Sequence, residues 1–208
     1  MKLAVLIFLA LLLPVPAFAG QLEDAEAAIN RSDWPAAVKL LQPLADQGDG
    51  EAQMYMGDMY MSGHALKKDP GEAMKWYRKS ADQGNAAGEL NVGGAYKRGA
   101  GVPKDSAEGM KWILKAADQG YAPAQLALSG IYTRGDGVKQ DKQEGYFHFL
   151  LYAKTVPDGN ADVAAQVSMF DKFYAEVLTP EQIAAAKKRA AEWKPVPAAP
   201  VPAAAAKP

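Results

Sequence analysis

Cysteine is absent from this chain of 208 residues. That excludes a thiolate nucleophile, a cysteine-ligated metal and any disulfide, so the fold must hold through packing alone. Histidine is nearly absent: the chain has two, His64 in a loop and His148 at a core-like helix position. No His-Glu-x-x-His, Gly-x-Ser-x-Gly, Ser-x-x-Lys or phosphate-binding glycine loop occurs, so the usual hydrolytic and nucleotide-binding constellations are missing. A charge excess of either sign is also lacking. Lys and Arg number 23 against 24 Asp and Glu, which gives no electrostatic reason to expect nucleic acid or an anionic membrane as partner. Long apolar runs are missing too. Leu3 to Leu13 is too short for a bilayer-spanning helix, which needs about 20 residues, and no later segment is apolar for longer.

That short run has the order of a secretory signal peptide. Met1-Lys2 supplies one positive charge, Leu3–Leu13 an apolar core, Pro14 and Pro16 a break, and Ala17-Phe18-Ala19 an Ala-x-Ala cleavage site. Cleavage after Ala19 would leave Gly20 as the mature terminus, with no cysteine there to accept a lipid. The expected location is outside the cytoplasm, either the periplasm or secreted.

What the chain has in quantity is repetition. Gly63, Gly99 and Gly135 share one spacing with Tyr60, Tyr96 and Tyr132, and Ala-Asp-Gln-Gly returns at 45–48, 81–84 and 117–120. A period of this size marks stacked supersecondary units rather than one globular core. Each unit reads as two helices. In the first, Asp49 caps a helix carrying Met56, Met59 and Tyr60, and Gly63 ends it. Asp69 then caps a second helix with Pro70 in its first position and Glu72 three residues after the cap. Asp69…Glu72, Asp105…Glu108 and Asp141…Glu144 all fit capping-box spacing. The second helix carries Ala73, Trp76, Tyr77 and Ala81 at helical period, and small residues such as Gly57 leave room for its rings.

The frame divides the chain as follows. Residues 1–19 are the signal peptide, 20–48 an N-terminal capping hairpin, and 49–84, 85–120 and 121–156 three repeats. Residues 157–194 are capping helices, with Thr179-Pro180-Glu181-Gln182 opening the last, and 195–208 a disordered Pro/Ala tail. Two departures stand out. His64-Ala65-Leu66 replaces a glycine-valine loop and is expected to stiffen or re-route it. Gly88, Gly93 and Gly94 crowd one helix, which is expected to be the weakest.

The loops Gly99-Ala100-Gly101-Val102-Pro103-Lys104-Asp105 and Gly135-Asp136-Gly137-Val138-Lys139-Gln140-Asp141, with Lys111-Trp112 running into Ala116-Ala117-Asp118-Gln119-Gly120, resemble Sel1-like repeats. The resemblance implies an all-α solenoid of antiparallel helix pairs, related to tetratricopeptide proteins and wound as a right-handed superhelix. It further implies a non-enzymatic adaptor or scaffold for another protein or peptide, in an exported bacterial member. It implies no cofactor. The alternative is a cell-wall-associated or β-lactam-modifying enzyme, although the disulfide framework of the β-lactam-binding members is absent here.

The carboxylates Asp69, Asp105 and Asp141 each have a structural task at a helix start, and no catalytic or metal-binding set emerges. A binding groove is expected where the first helices of the units leave non-repeating positions free: Tyr55, Asp58, Met61, Asn91, Arg98 and Arg134. Lys67, Lys68, Lys104 and Lys139 form a basic edge across successive loops.

Overall fold

The chain breaks into helices where its caps dictate. The computed structural model describes residues 16–155 and 161–198. Its first hairpin is α1 (Pro16–Asn30) with α2 (Trp34–Asp46), and three more follow. These are α3 (Gly50–Ser62) with α4 (Pro70–Asp82), α5 (Ala86–Arg98) with α6 (Ser106–Asp118), and α7 (Ala122–Arg134) with α8 (Lys142–Ala153). α9 (Ala161–Val177) and α10 (Pro180–Glu192) complete an all-helical solenoid, with no strand among the described residues. Each helix packs on the next in sequence, and α10 also folds back onto α8. α1 starts ahead of the expected cleavage point and runs through it; residues 1–15 lie outside the described residues.

The side chains of Asp33, Asp49, Asp69, Asn85, Asp105 and Asp141 each accept a bond from the backbone N–H three residues on. Each such cap contributes about 1 kcal/mol. The expected reciprocal box is not completed at Asp69, Asp105 and Asp141. Their own N–H groups are already bonded to the carbonyls of Tyr60, Tyr96 and Tyr132, each at 2.9 Å. The freed carboxylates turn elsewhere, Glu72 to Lys75 and Glu108 to Lys111 and Trp112. Thr179 and Gln182 do form the full box. α7 has Tyr121 at its cap position and no side-chain cap.

Gly63, Gly99 and Gly135 end the first helices in the left-handed region, with φ of +85°, +72° and +73°. A second left-handed residue follows two positions later in every loop: Ala65 at φ +59°, Gly101 at +76° and Gly137 at +77°. The His64-Ala65-Leu66 loop is thus not re-routed. It keeps its neighbours' path, with alanine bearing a conformation that suits glycine. Here His64 stacks on Trp34, ring centroids 4.2 Å apart.

Helix contacts rest on residues without side chains. A Cβ at Gly57 would lie 2.4 Å from the Tyr77 ring, and one at Gly93 would lie 2.7 Å from the Gly109 carbonyl. A Cβ at Gly88 would lie 2.5 Å from Ser80 Oγ. Gly88 and Gly93 of α5 are therefore approach points, and the packing they permit offsets the roughly 1 kcal/mol each costs in helix propensity. At the far end, Tyr146 and Phe149 of α8 pack with Tyr174, Leu178 and Ala186 to close the stack. Of the tail expected to be free from Pro195, residues 195–198 lie against the stack. The Val196 N–H donates to the Asp118 carbonyl at 2.7 Å, while residues 199–208 lie outside the described residues.

Opposite outcomes are expected at two neighbouring positions. Ala65→Gly should raise stability by about 1 kcal/mol by relieving the left-handed alanine. Gly57→Ala should lower it by about 1–3 kcal/mol by forcing Tyr77 out of place. Urea unfolding followed by circular dichroism measures both.

Candidate functional site

The first helices of the hairpins, α3, α5 and α7, contribute residues to one face, with α3 touching α5 directly. The six expected groove residues fall there, in two adjoining clefts. Tyr55, Asp58 and Met61 line one of about 340 Å³ together with Trp34 and His64. Asn91, Arg98 and Arg134 line another of about 480 Å³ with Leu90 and Ile131.

Not all six are equally available. The Tyr55 hydroxyl donates to Glu26 Oε1 at 2.9 Å, tying α3 to α1. Burial first, and then the Glu26 carboxylate, push that hydroxyl above its ordinary range. Asp58 Oδ1 accepts from the Tyr77 hydroxyl at 2.7 Å and from Asn91 Nδ2 at 3.3 Å. Burial raises the Asp58 carboxyl and the Tyr77 bond partly opposes it. The Asp58–Asn91 bond links α3 to α5 between the two clefts. Asp58 and Asn91 thus carry framework bonds and Met61 packs partly against the core around Tyr77 and Val92, whereas Arg98 and Arg134 are exposed.

The two arginines repeat one arrangement. A Cβ at Gly94 would lie 2.9 Å from Arg98 Nη1, and a Cβ at Gly130 would lie 2.9 Å from Arg134 Nη1. Each guanidinium therefore folds back over a glycine one helical turn earlier, one repeat apart. Lys97, their neighbour, is committed: its ammonium donates to the Asp136 carbonyl at 2.8 Å and lies 3.6 Å from the Asp136 carboxylate. The groove consequently has an apolar, acid-bearing end at α3 and a basic end at α5 and α7.

Behind this face runs a buried polar ladder that repeats with the frame: Gln53, Glu89 and Gln125. Gln83 Nε2 donates to Gln53 at 2.7 Å, and Gln119 Nε2 donates to Glu89 at 2.7 Å. Lys115 Nζ lies 2.8 Å from the other Glu89 oxygen. Burial raises the Glu89 carboxyl; Lys115 and Gln119 work against it. In the third unit the ladder changes hands. His148, where the earlier repeats have Trp76 and Trp112, places Nδ1 2.7 Å from Gln125 Oε1. Its Nε2 lies 3.4 Å from Glu144, whose carboxylate also accepts both terminal nitrogens of Arg189. Burial would raise the Glu144 carboxyl, but the His148 and Arg189 contacts outweigh it and hold it at about 2. Both histidine nitrogens are thus occupied in packing, and Tyr132 stacks on the ring at 5.6 Å.

One cleft was not anticipated. Between α7 and α9 lies a mainly apolar pocket of about 600 Å³, lined by Ala127, Thr133, Arg134, Met169, Phe170 and Phe173. Met169 and Phe173 stay 60% and 39% exposed, so α9 does not spend its whole apolar face on closing the stack. The signal was in the sequence: the stripe from Val163 to Tyr174 is wider than one buried seam requires. Among the described residues no group of His, Asp or Glu could hold a metal, and no helix is long and apolar enough to cross a membrane.

Stacked two-helix units with an open face define the class as a helical-repeat solenoid. The Sel1 repeat model matches residues 50–85, 86–121 and 122–154. The chain belongs to the Sel1 repeat family, whose members are generally protein-interaction scaffolds and typically non-catalytic. Among solved structures it is similar to a Sel1 repeat protein from Oxalobacter formigenes. That match is 28% identical with a TM-score of 0.62, covering 82% of this chain and 69% of that one. It is also similar in fold to c5321, a protective antigen present in uropathogenic Escherichia coli strains displaying an SLR fold. There the identity is 22% and the TM-score 0.50, covering 83% of this chain and 44% of that one. No curated protein matches the chain.

The acid limb of stability should depend on Glu144. A carboxyl held at about 2, against an ordinary 4.5, stabilises the fold above the ordinary value and loses that contribution as pH falls through the lower one. Glu144→Gln should flatten the decline between those pH values. Urea midpoints for both proteins, measured across that range, test it.

Proposed function

We propose that this protein is an adaptor of the bacterial cell envelope that holds an extended segment of a partner protein along the face of α3, α5 and α7. The observation that carries the reading is the pairing of Arg98 and Arg134, exposed and one repeat apart, in a cleft beside the one that Tyr55 and Met61 line. A peptide with an apolar residue toward Met61 and acidic residues toward the arginines fits that polarity. Arginine and tyrosine are frequent anchors in such contacts, and a guanidinium suits a carboxylate in particular. Export rests on the order of charge, apolar core and Ala-x-Ala site in the first nineteen residues.

Two experiments test the two halves of this reading. The tagged protein, incubated with its own envelope fraction, should retain a partner identified by mass spectrometry. Replacing Tyr55, Arg98 and Arg134 together by alanine should weaken that partner's binding at least about tenfold while the helical spectrum is kept. Unchanged affinity rules out the groove. For export, residues 1–30 joined to a reporter active only outside the cytoplasm should give activity that Ala17→Asp with Ala19→Asp abolishes. A silent reporter removes the envelope from the proposal without touching the groove.

A further inference from the structure

The thrice-repeated Ala-Asp-Gln-Gly turns are more than needed to end a helix, and the groove does not use them. They lie where the second helix of one unit passes to the next. Gly48, Gly84 and Gly120 all take left-handed φ, +98°, +79° and +85°. They form a row along the stack with bare backbone outward. Against two of them runs the segment after α10. Trp193 leaves the helix at φ −66°, ψ +140°, which is polyproline-type backbone. A Cβ at Gly120 would lie 3.2 Å from Pro195 Cβ, and one at Gly84 would lie 2.9 Å from Ala198 Cβ. Between those contacts Val196 donates its N–H to the Asp118 carbonyl at 2.7 Å.

The register is what makes this a fitted surface. Pro195 and Ala198 are three residues apart, while the glycines they meet are one whole repeat apart. A polyproline helix turns once per three residues and rises about 9.3 Å in doing so. One turn of the tail therefore carries it from the Gly120 turn, which Pro195 faces, to the Gly84 turn, which Ala198 faces. Side chains at Gly84 and Gly120 would block the approach. The tail's composition suits the track. Pro195 and Pro197 hold the extended backbone without unpaired N–H groups, and Val196 keeps the one donor that the Asp118 carbonyl receives.

We propose that the row of Ala-Asp-Gln-Gly turns is a binding track for polyproline-type chain, and that its occupant is this protein's own C-terminal segment from Pro195. The segment straps the last cap across the second and first repeats. It ties together units that otherwise touch only their neighbours, so unfolding becomes cooperative from the C-terminal cap to α4.

Because the chain has no cysteine, the test needs no background removal. Nuclear magnetic resonance of the full-length chain should show the amides of Gly84, Gly120 and Asp118 shifting in Val196→Pro, which removes the donor, but not in Val196→Ala, which keeps it. A chain ending at Lys194 should show the same shifts, and a synthetic peptide of residues 195–208 should reverse them in a saturable way. A nitroxide on Ala198→Cys should broaden the turn at Gly84 more than the turn at Gly48. The proposal is overturned if both valine variants behave alike, if the peptide leaves the shortened chain unchanged, or if the label broadens no turn selectively. A loss of helical signal in the shortened chain would move the decision to the two point variants, whose fold does not depend on the missing residues.

Discussion

Everything in this solenoid depends on how closely one helix can approach the next, and that distance is set by side chains that are absent. Tyr77 rests where Gly57 has no Cβ, α6 meets α5 through Gly93 and Gly109, and α8 meets α7 where Gly145 faces Thr133. Burying a ring against bare backbone gives more contact than the helix loses in propensity. The same logic appears between repeats. A Cβ at Gly101 would overlap the carbonyl of Pro70 in the previous unit, so one glycine in each full loop sets the step of the stack. Ala65 escapes this in the first repeat, where only the shortened capping hairpin stands before it. Its backbone nevertheless follows the family path because Gly63 and the Asp69–Tyr60 bond fix both ends of the loop.

The close packing leaves few places for polar groups, and those that remain are arranged along the repeat rather than around a pocket. Gln53, Glu89 and Gln125 occupy one buried position in three units, each met by a group from the following helix or turn. A charged Glu89 at that depth is tolerable because Lys115 and Gln119 reach both of its oxygens. His148 belongs to this series. Its partners Gln125 and Glu144 bind the third unit to itself and, through Arg189, to α10. The imidazole that would attract attention as a base is therefore spent on joining the repeats to the cap.

Much of the fold was legible because its boundaries are written in short-range chemistry. Asp69-Pro70, Thr179-Pro180 and the left-handed glycines fix helix ends from within four residues, and α9 runs over the span its apolar stripe marks. The unfinished capping boxes were not legible, because the cap amides are taken by tyrosine carbonyls from the preceding helix. At the groove, position alone brought six residues to one face. It could not say that Asp58 would be bonded by Tyr77, which lies on another helix. The open pocket beside α9 and the seated segment after Trp193 depend on how the last helices turn back over the stack, and no local pattern encodes that return.

A linear array gains surface at the expense of cooperativity, since each unit is stabilised mainly by its neighbours. The exposed faces of this array therefore differ in kind. On the α3–α5–α7 face Arg98 and Arg134 are exposed and can change without disturbing a helix contact, while Tyr55, Asp58, Asn91 and Met61 also serve contacts between helices. The turn face is formed from positions the frame fixes, and only chain able to match the step of the stack can lie on it. Side-chain chemistry would select a ligand of the first face, and backbone spacing the chain that lies on the second. A segment rich in proline and alanine carries almost none of the former and a regular measure of the latter, which is why this chain's own terminus suits the turns and not the groove.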